Sequence, residues 1–172
     1  MKALPTLYER LRMDMRIIPA FAMIVLFIFL DIATIHFPFD GIIKPNLFLV
    51  AVFYWSIYRP SLVPVWLIFI AGLTLDFIAG TFSGLHTIPL IAVSWLVTRQ
   101  RSFLSGQNFI MIWSIFSGIH LCVISTQWLL SMATSLNFEF PRSLIFSAFL
   151  TLCVYPVCHM ILFLTHKLLP AR

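Results

Sequence analysis

Acidic side chains are scarce in this chain: six Asp and Glu in 172 residues, with charged residues of both signs together only 10%. A water-soluble domain carries about 25% charged residues, so the scarcity excludes an ordinary aqueous surface. Glycine is also sparse, with six residues, and they form no glycine-rich phosphate loop. Cys122, Cys153 and Cys158 lack a C-x-x-C spacing and fall in apolar sequence, as expected of buried structural thiols. No two carboxylates recur at helical spacing to hold a catalytic metal. His120 and His159 share no i, i+4 spacing with another ligand-type residue, so each is expected to be satisfied by a neighbouring helix. Ser83-Gly84-Leu85-His86 resembles a serine-hydrolase fragment only in outline, because the G-x-S-x-G elbow is missing. The expectation is a non-enzymatic protein without metal or cofactor.

What the chain has instead is apolar mass. It is 61% hydrophobic, with a mean hydropathy of +1.02. Eighteen Phe and five Trp suit lipid-facing and interfacial positions better than an aqueous core. The bilayer must solvate most of it. The net charge of +5 comes from eleven Lys and Arg spread along the chain. They form no basic run and accompany no nucleic-acid motif, so they read as topology signals.

Polar and proline punctuation cuts the sequence into six apolar runs, at about 17–37, 47–58, 62–79, 85–98, 109–131 and 144–164. Runs one, three, five and six approach the roughly 20 residues that a bilayer requires; two and four are shorter. With six crossings, one side collects Lys2, Arg10, Arg12, Arg16, Arg59, Arg99, Arg101, Lys167 and Arg172, and the other only Lys44 and Arg142. That bias predicts an all-α, six-helix membrane protein with both termini in the cytoplasm. Residues 1–16 alternate Leu4, Leu7, Tyr8, Leu11 and Met15 with charges, as an interfacial amphipathic helix or a charged leader would. A cleaved signal peptide is not expected, because the first apolar run is long and five more follow. Residues 1–172 form one polytopic domain.

Within the runs, polar residues stand out. A charge at mid-membrane costs roughly 2.5–3.5 kcal/mol on insertion scales, yet Asp31 and Asp76 lie in runs one and three. The topology places both in the outer third of their helices, with His86 opening run four across a Gly80–Gly84 turn. An Asp76–His86 pair follows, read as a structural clasp, a contact for a partner membrane protein, or a proton or solute relay. Gly80 and Gly84 have small-xxx-small spacing, but their place between runs favours a turn. Tyr54, Trp55 and Tyr58, followed by Arg59, read as an interfacial anchor. Pro64 falls in a first turn, whereas Pro89 and Pro156 are candidates for kinks.

The central segment carries a resemblance. Lys44-Pro45-Asn46, an apolar run to Tyr54-Trp55, then Pro60, then Gly72-x-x-Leu75-Asp76-x-x-x-Gly80-x-x-x-Gly84 resembles MreD, the family of bacterial rod shape-determining membrane proteins. The resemblance is specific over 44–101, and chain length and span number agree with it. It implies a component of the cell-elongation machinery in the bacterial inner membrane, associated with MreC, with the actin-like MreB, and with RodA and its class B penicillin-binding transpeptidase, which build lateral peptidoglycan. It also implies a fold similar to the substrate-binding subunits of energy-coupling-factor transporters. The family pattern falls on Pro45, Asn46, Tyr54, Trp55, Gly72, Asp76, Gly80 and Gly84; Asp31, Arg59 and His86 join them as structural or partner-contact candidates.

A vitamin-type transporter subunit is the alternative function. Such subunits resemble one another in an Ala-x-x-x-Ala packing motif, which Ala20, Ala22 and Ala33 do not make. A solute site also needs several polar groups in one cavity, and Asp31, Asp76 and His86 are few for that.

Overall fold

The computed structural model describes residues 22, 23, 25–31, 35–37, 41–43, 45–135 and 142–168. The 1–16 segment and both termini lie outside the described residues. The architecture is helical: α1 (helical at 22, 23 and 25–31), α2 (Leu47–Tyr58), α3 (Val65–Ala79), α4 (Thr87–Leu104), α5 (Phe109–Ser135) and α6 (Arg142–Leu168). A short antiparallel hairpin, β1 (Ile35–Phe37) and β2 (Gly41–Ile43), stands between α1 and α2, with Ile35 opposite Ile43. The first run therefore leaves the helix before Phe37. β-branched Ile35 favours extended backbone, and Pro38 disfavours helical geometry at the residue before it.

α2 is the axis of the fold. Every residue from Leu47 to Ile57 is buried, as a helix that is apolar all round requires. Its 12 residues rise about 18 Å, well short of a bilayer core of about 30 Å. Enclosure explains why so short a helix is tolerated, since α2 meets protein rather than lipid on all sides. α4 packs along it most extensively and α6 next, Phe27 of α1 joins the same core, and Phe53 meets Phe116 of α5 edge-on at 5.2 Å. α3 packs against α4.

Ser56 Oγ donates to Ser94 Oγ at 3.4 Å, joining residues nine and seven positions after the first residues of α2 and α4. α4 continues to Leu104, beyond the 85–98 run, because Arg99 and Arg101 carry the helix past the apolar stretch. Arg99 lies 4.7 Å from the centroid of the exposed Trp95 ring.

Among the described residues, two stretches are long and apolar enough to cross a membrane, Phe109–Ala133 and Leu144–Thr165; α2 and α3 are apolar but shorter. α5 and α6 expose large apolar side chains along their length, among them Ile110, Leu121, Leu129, Phe149, Met160 and Leu164. Cys122 and Cys153 are exposed with them, and only Cys158 of the three is buried. The thiols were expected to be buried because their sequence is apolar. In a bilayer an apolar neighbourhood equally marks the outward face, so hydropathy does not separate the two.

The tryptophans divide in the same way. Trp66 and Trp95 are exposed, but Tyr54 and Trp55 are fully buried, which corrects their reading as interfacial anchors. Tyr54 instead packs on Trp55, Tyr58 and His159. Pro64 is the N-cap of α3. Pro89 lies in the first turn of α4, where its missing N–H has no helical acceptor to lose, so it needs no kink; Pro156 is inside α6.

This placement of α2 makes a quantitative prediction. Phe53→Ala should cost about 3–5 kcal/mol of unfolding free energy, and Phe77→Ala, on an exposed α3 face, under about 0.5 kcal/mol. Thermal unfolding of the two purified variants in detergent checks it, and equal losses would contradict α2 as the core.

Candidate functional site

α3 ends because Gly80 adopts left-handed geometry, φ 63° and ψ 26°. Its N–H donates to Phe77 O at 3.2 Å, and the Thr81 N–H reaches Asp76 O at 3.1 Å. This pair of bonds closes a helix terminus on a residue that tolerates positive φ. The chain then turns through Gly84, φ 116°, into α4. Gly80 and Gly84 therefore lie in the interhelical turn rather than on a helix-packing stripe.

That turn folds its donors over Asp76, whose side chain is fully buried. Oδ2 accepts from the Gly84 N–H and from Thr87 Oγ1, each at 2.8 Å. Oδ1 accepts from the His86 N–H at 2.9 Å and pairs with His86 Nδ1 at 2.8 Å. A carboxylate only accepts, so Nδ1 carries the proton, and the half-buried ring turns its other nitrogen away from Asp76. Bonds to a charged group contribute about 1.5–3 kcal/mol each. Four of them offset the roughly 2.5–3.5 kcal/mol cost of a charge at depth. The carboxylate also sits at the start of α4, where the helix presents its unpaired N–H groups and positive dipole end.

Gly72 is the geometric condition for this arrangement. It lies one turn before Asp76 on the same face of α3. A Cβ built on it would come within 2.8 Å of both Cα and Oγ1 of Thr87. Only glycine lets the first residue of α4 approach α3 closely enough for Thr87 to reach Asp76. Thr87 itself is not singled out by the sequence, although a hydroxyl at the start of a helix, eleven residues after a lone intramembrane Asp, is a readable signal.

Asp31 is not part of that cluster. It lies at the start of α2, where Oδ1 accepts from the Leu47 N–H at 2.9 Å. Pro45 and Asn46 build the same helix start: Asn46 Oδ1 accepts from the Leu49 N–H at 3.2 Å, and Pro45 O from the Leu47 N–H at 3.0 Å. The Asn46 N–H donates to Thr151 Oγ1 of α6 at 2.9 Å, and Thr151 donates on to Ser147 O at 2.7 Å. α1, α2 and α6 are thus joined through one N-terminus. Thr151 is 105 residues from Asn46, a separation no local pattern reveals. Arg59 closes the other end of α2, its N–H donating to Trp55 O at 2.7 Å.

Asp31 and Asp76 are the two acids among the described residues, and each serves the start of a helix. The arrangement binds backbone donors; it presents no nucleophile with a base. Among the described residues, no group of three or more His, Cys, Asp and Glu is placed to hold a metal. Neither ring nitrogen of the buried His120 has a hydrogen-bond partner in a neighbouring helix, which corrects that expectation for His120; of His159, Nδ1 has none.

The family model for the rod shape-determining protein MreD matches residues 9–166. The chain belongs to the MreD family. Membership gives it a role in determining rod shape and places it in a membrane protein family. Comparison with curated proteins and with solved structures finds no match to this chain.

The site makes a coupled prediction. Asp76→Asn leaves an amide facing four donors and should cost about 2–4 kcal/mol. Gly72→Ala should cost about 1–3 kcal/mol through the clash with Thr87. Because both act through Thr87, the double variant should lose less than the sum. Thermal unfolding of the three variants measures this, and full additivity would show that the two residues act independently.

Proposed function

We propose that this MreD-family chain is a non-enzymatic scaffold of the cell-elongation machinery. In this reading it crosses the inner membrane six times with both termini cytoplasmic, in a fold similar to the energy-coupling-factor substrate-binding subunits. It binds MreC directly and helps position RodA, its class B transpeptidase and MreB for lateral peptidoglycan synthesis. The observation that carries the reading is the family match over nearly the whole chain. The geometry supports it in two ways. The described carboxylates are consumed in holding helices together, and the longest apolar helices turn large side chains outward. A protein built this way acts on others through lateral packing, because lipid tails are as apolar as Leu and association rests on close contact and hydrogen bonds.

In this reading the Asp76 clasp holds the shape of the recognised surface. Affinity purification of the tagged chain from membranes should recover MreC, and Asp76→Asn should reduce that recovery along with rod shape in a complemented deletion strain. MreC absent from the wild-type eluate, at normal levels of both proteins, would remove the direct-binding proposal. Normal recovery with Asp76→Asn would remove only the clasp's part in it.

A further inference from the structure

α2 is short but enclosed; α3 is short and faces outward. It packs on α4 and buries Leu67, Ile68, Ala71, Gly72, Leu75 and Asp76. Val65, Trp66, Phe69, Ile70, Phe77 and Ile78 are left exposed. This outward apolar band covers about 20 Å of helix from Val65 to Ile78. Its boundaries are polar, with half-buried Arg59 and exposed Ser61 on one side and exposed Thr81 and Ser83 on the other. α4 gives a similar measure. Counted from the turn it shares with α3, its exposed Ile88, Trp95 and Leu96 give way to a cation at Arg99, about 18 Å from Thr87. Arg99 stacks on Trp95 at 4.7 Å, and an aromatic ring beside a cation suits a water boundary.

The bands on α5 and α6 are longer. Exposed large apolar residues extend from Ile110 to Leu129 and from Ile145 to Leu164, about 29 Å in each case, which matches a hydrocarbon core of about 30 Å. The α3–α4 face is about 10 Å short of that core, and tilting either helix shortens its projection further. α3 is fixed in length, because Pro64 caps one end and left-handed Gly80, with the Asp76 clasp, stops the other. A short apolar segment is accommodated by snorkelling of flanking residues, by association with another protein, or by thinning of the bilayer. No Lys or Arg lies between Arg59 and Arg99, so the turn has no long cation to snorkel. Close helix association uses small residues. Between Val65 and Ile78 the exposed face has one, Thr74, whose hydroxyl donates to Ile70 O at 2.8 Å. The exposed Ser114, Gly118 and Thr126 of α5 offer such positions instead. Thinning is the response that fits α3.

We propose that the α3–α4 face is a membrane-thinning surface, against which lipid forms a hydrocarbon layer about a third thinner than beside α5 and α6. The occupant of this face is the bilayer itself. A thinned zone favours lipids of short acyl chain. It also draws in proteins with a similarly short face, because two deformed zones that merge cost less than two kept apart. The inference rests on the proposed crossing of the bilayer by α3 and α4, and does not depend on which protein the chain binds.

Nitroxide scanning of the full chain in phosphatidylcholine vesicles tests this. With Cys122, Cys153 and Cys158 replaced by Ala, labels are placed singly through Val65→Cys, Ile70→Cys and Ile78→Cys in α3 and Ile145→Cys and Val157→Cys in α6, all exposed positions. Relative access of oxygen and of a water-soluble nickel chelate gives the depth of each label. The labels at Val65 and Ile78 should both read as interfacial, with nickel access several-fold above that at Ile70. Val157, nearly as far along its helix from Ile145, should read as deep as Ile70. A label at Val65 or Ile78 as deep as that at Val157 overturns the thinning and leaves the crossing of α3 intact. Shielding of Ile70 from both reagents also overturns it, because a second copy of the chain then covers the face. Equal shallow depth at all three α3 positions overturns it together with the crossing.

Discussion

A single carboxylate with four donors decides how half of this bundle is arranged. Asp76 needs compensation because a charge in apolar surroundings is costly, and it draws all of it from the chain within eleven residues: two backbone N–H groups, one imidazole and one hydroxyl. To deliver them, the turn after α3 must bend at two glycines, and α4 must begin in contact with α3 at Gly72. α4 then packs on both α3 and the central helix α2. The motif residues Gly72, Asp76, Gly80, Gly84 and His86 thus act as one unit, each meeting a geometric requirement set by the others.

The start of α2 uses the same device. Asp31 supplies the acceptor, Asn46 caps the helix with its own side chain, and Thr151 ties the cap to α6. Two helix N-termini are therefore held by carboxylates supplied from other helices. In water such caps are each worth about 1 kcal/mol. Where solvent cannot compete for the orphan N–H groups, they become a condition for burying a helix end at all. Membership of a shape-determining family is consistent with this use of polar residues. They stabilise internal geometry, while the outer surface is left to apolar contact with lipid and neighbouring helices.

Some of this was legible in the residues. An Asp within apolar sequence, two glycines four apart and a His beyond them suggested a paired turn, because the cost of a buried charge demands a local partner. The start of α2 at Leu47 could be placed because Lys44-Pro45-Asn46 punctuates the apolar sequence there, although the capping role of Asn46 was not read from it. Other features were not legible. Tyr54 and Trp55 look interfacial when read beside Arg59, and only the enclosure of α2 puts them in the core. Cys122 and Cys153 look buried until it is clear which face of α5 and α6 is turned out. In a soluble protein an apolar residue implies the interior; in a membrane protein it does not, so hydropathy loses its power to tell inside from outside.

The sequence by itself determined the solvent, the helical runs, the family and the residues of the α3–α4 turn, since these rest on composition and on interactions within about a dozen residues. The tertiary structure alone decided that α2 is a buried axis, that Asp31 and Asp76 serve different helix starts, and that Thr87 and Thr151 take part in them. Those outcomes depend on which helices become neighbours. That choice is made by close packing and by hydrogen bonds between residues as far apart as Asn46 and Thr151, and a one-dimensional pattern carries no record of it.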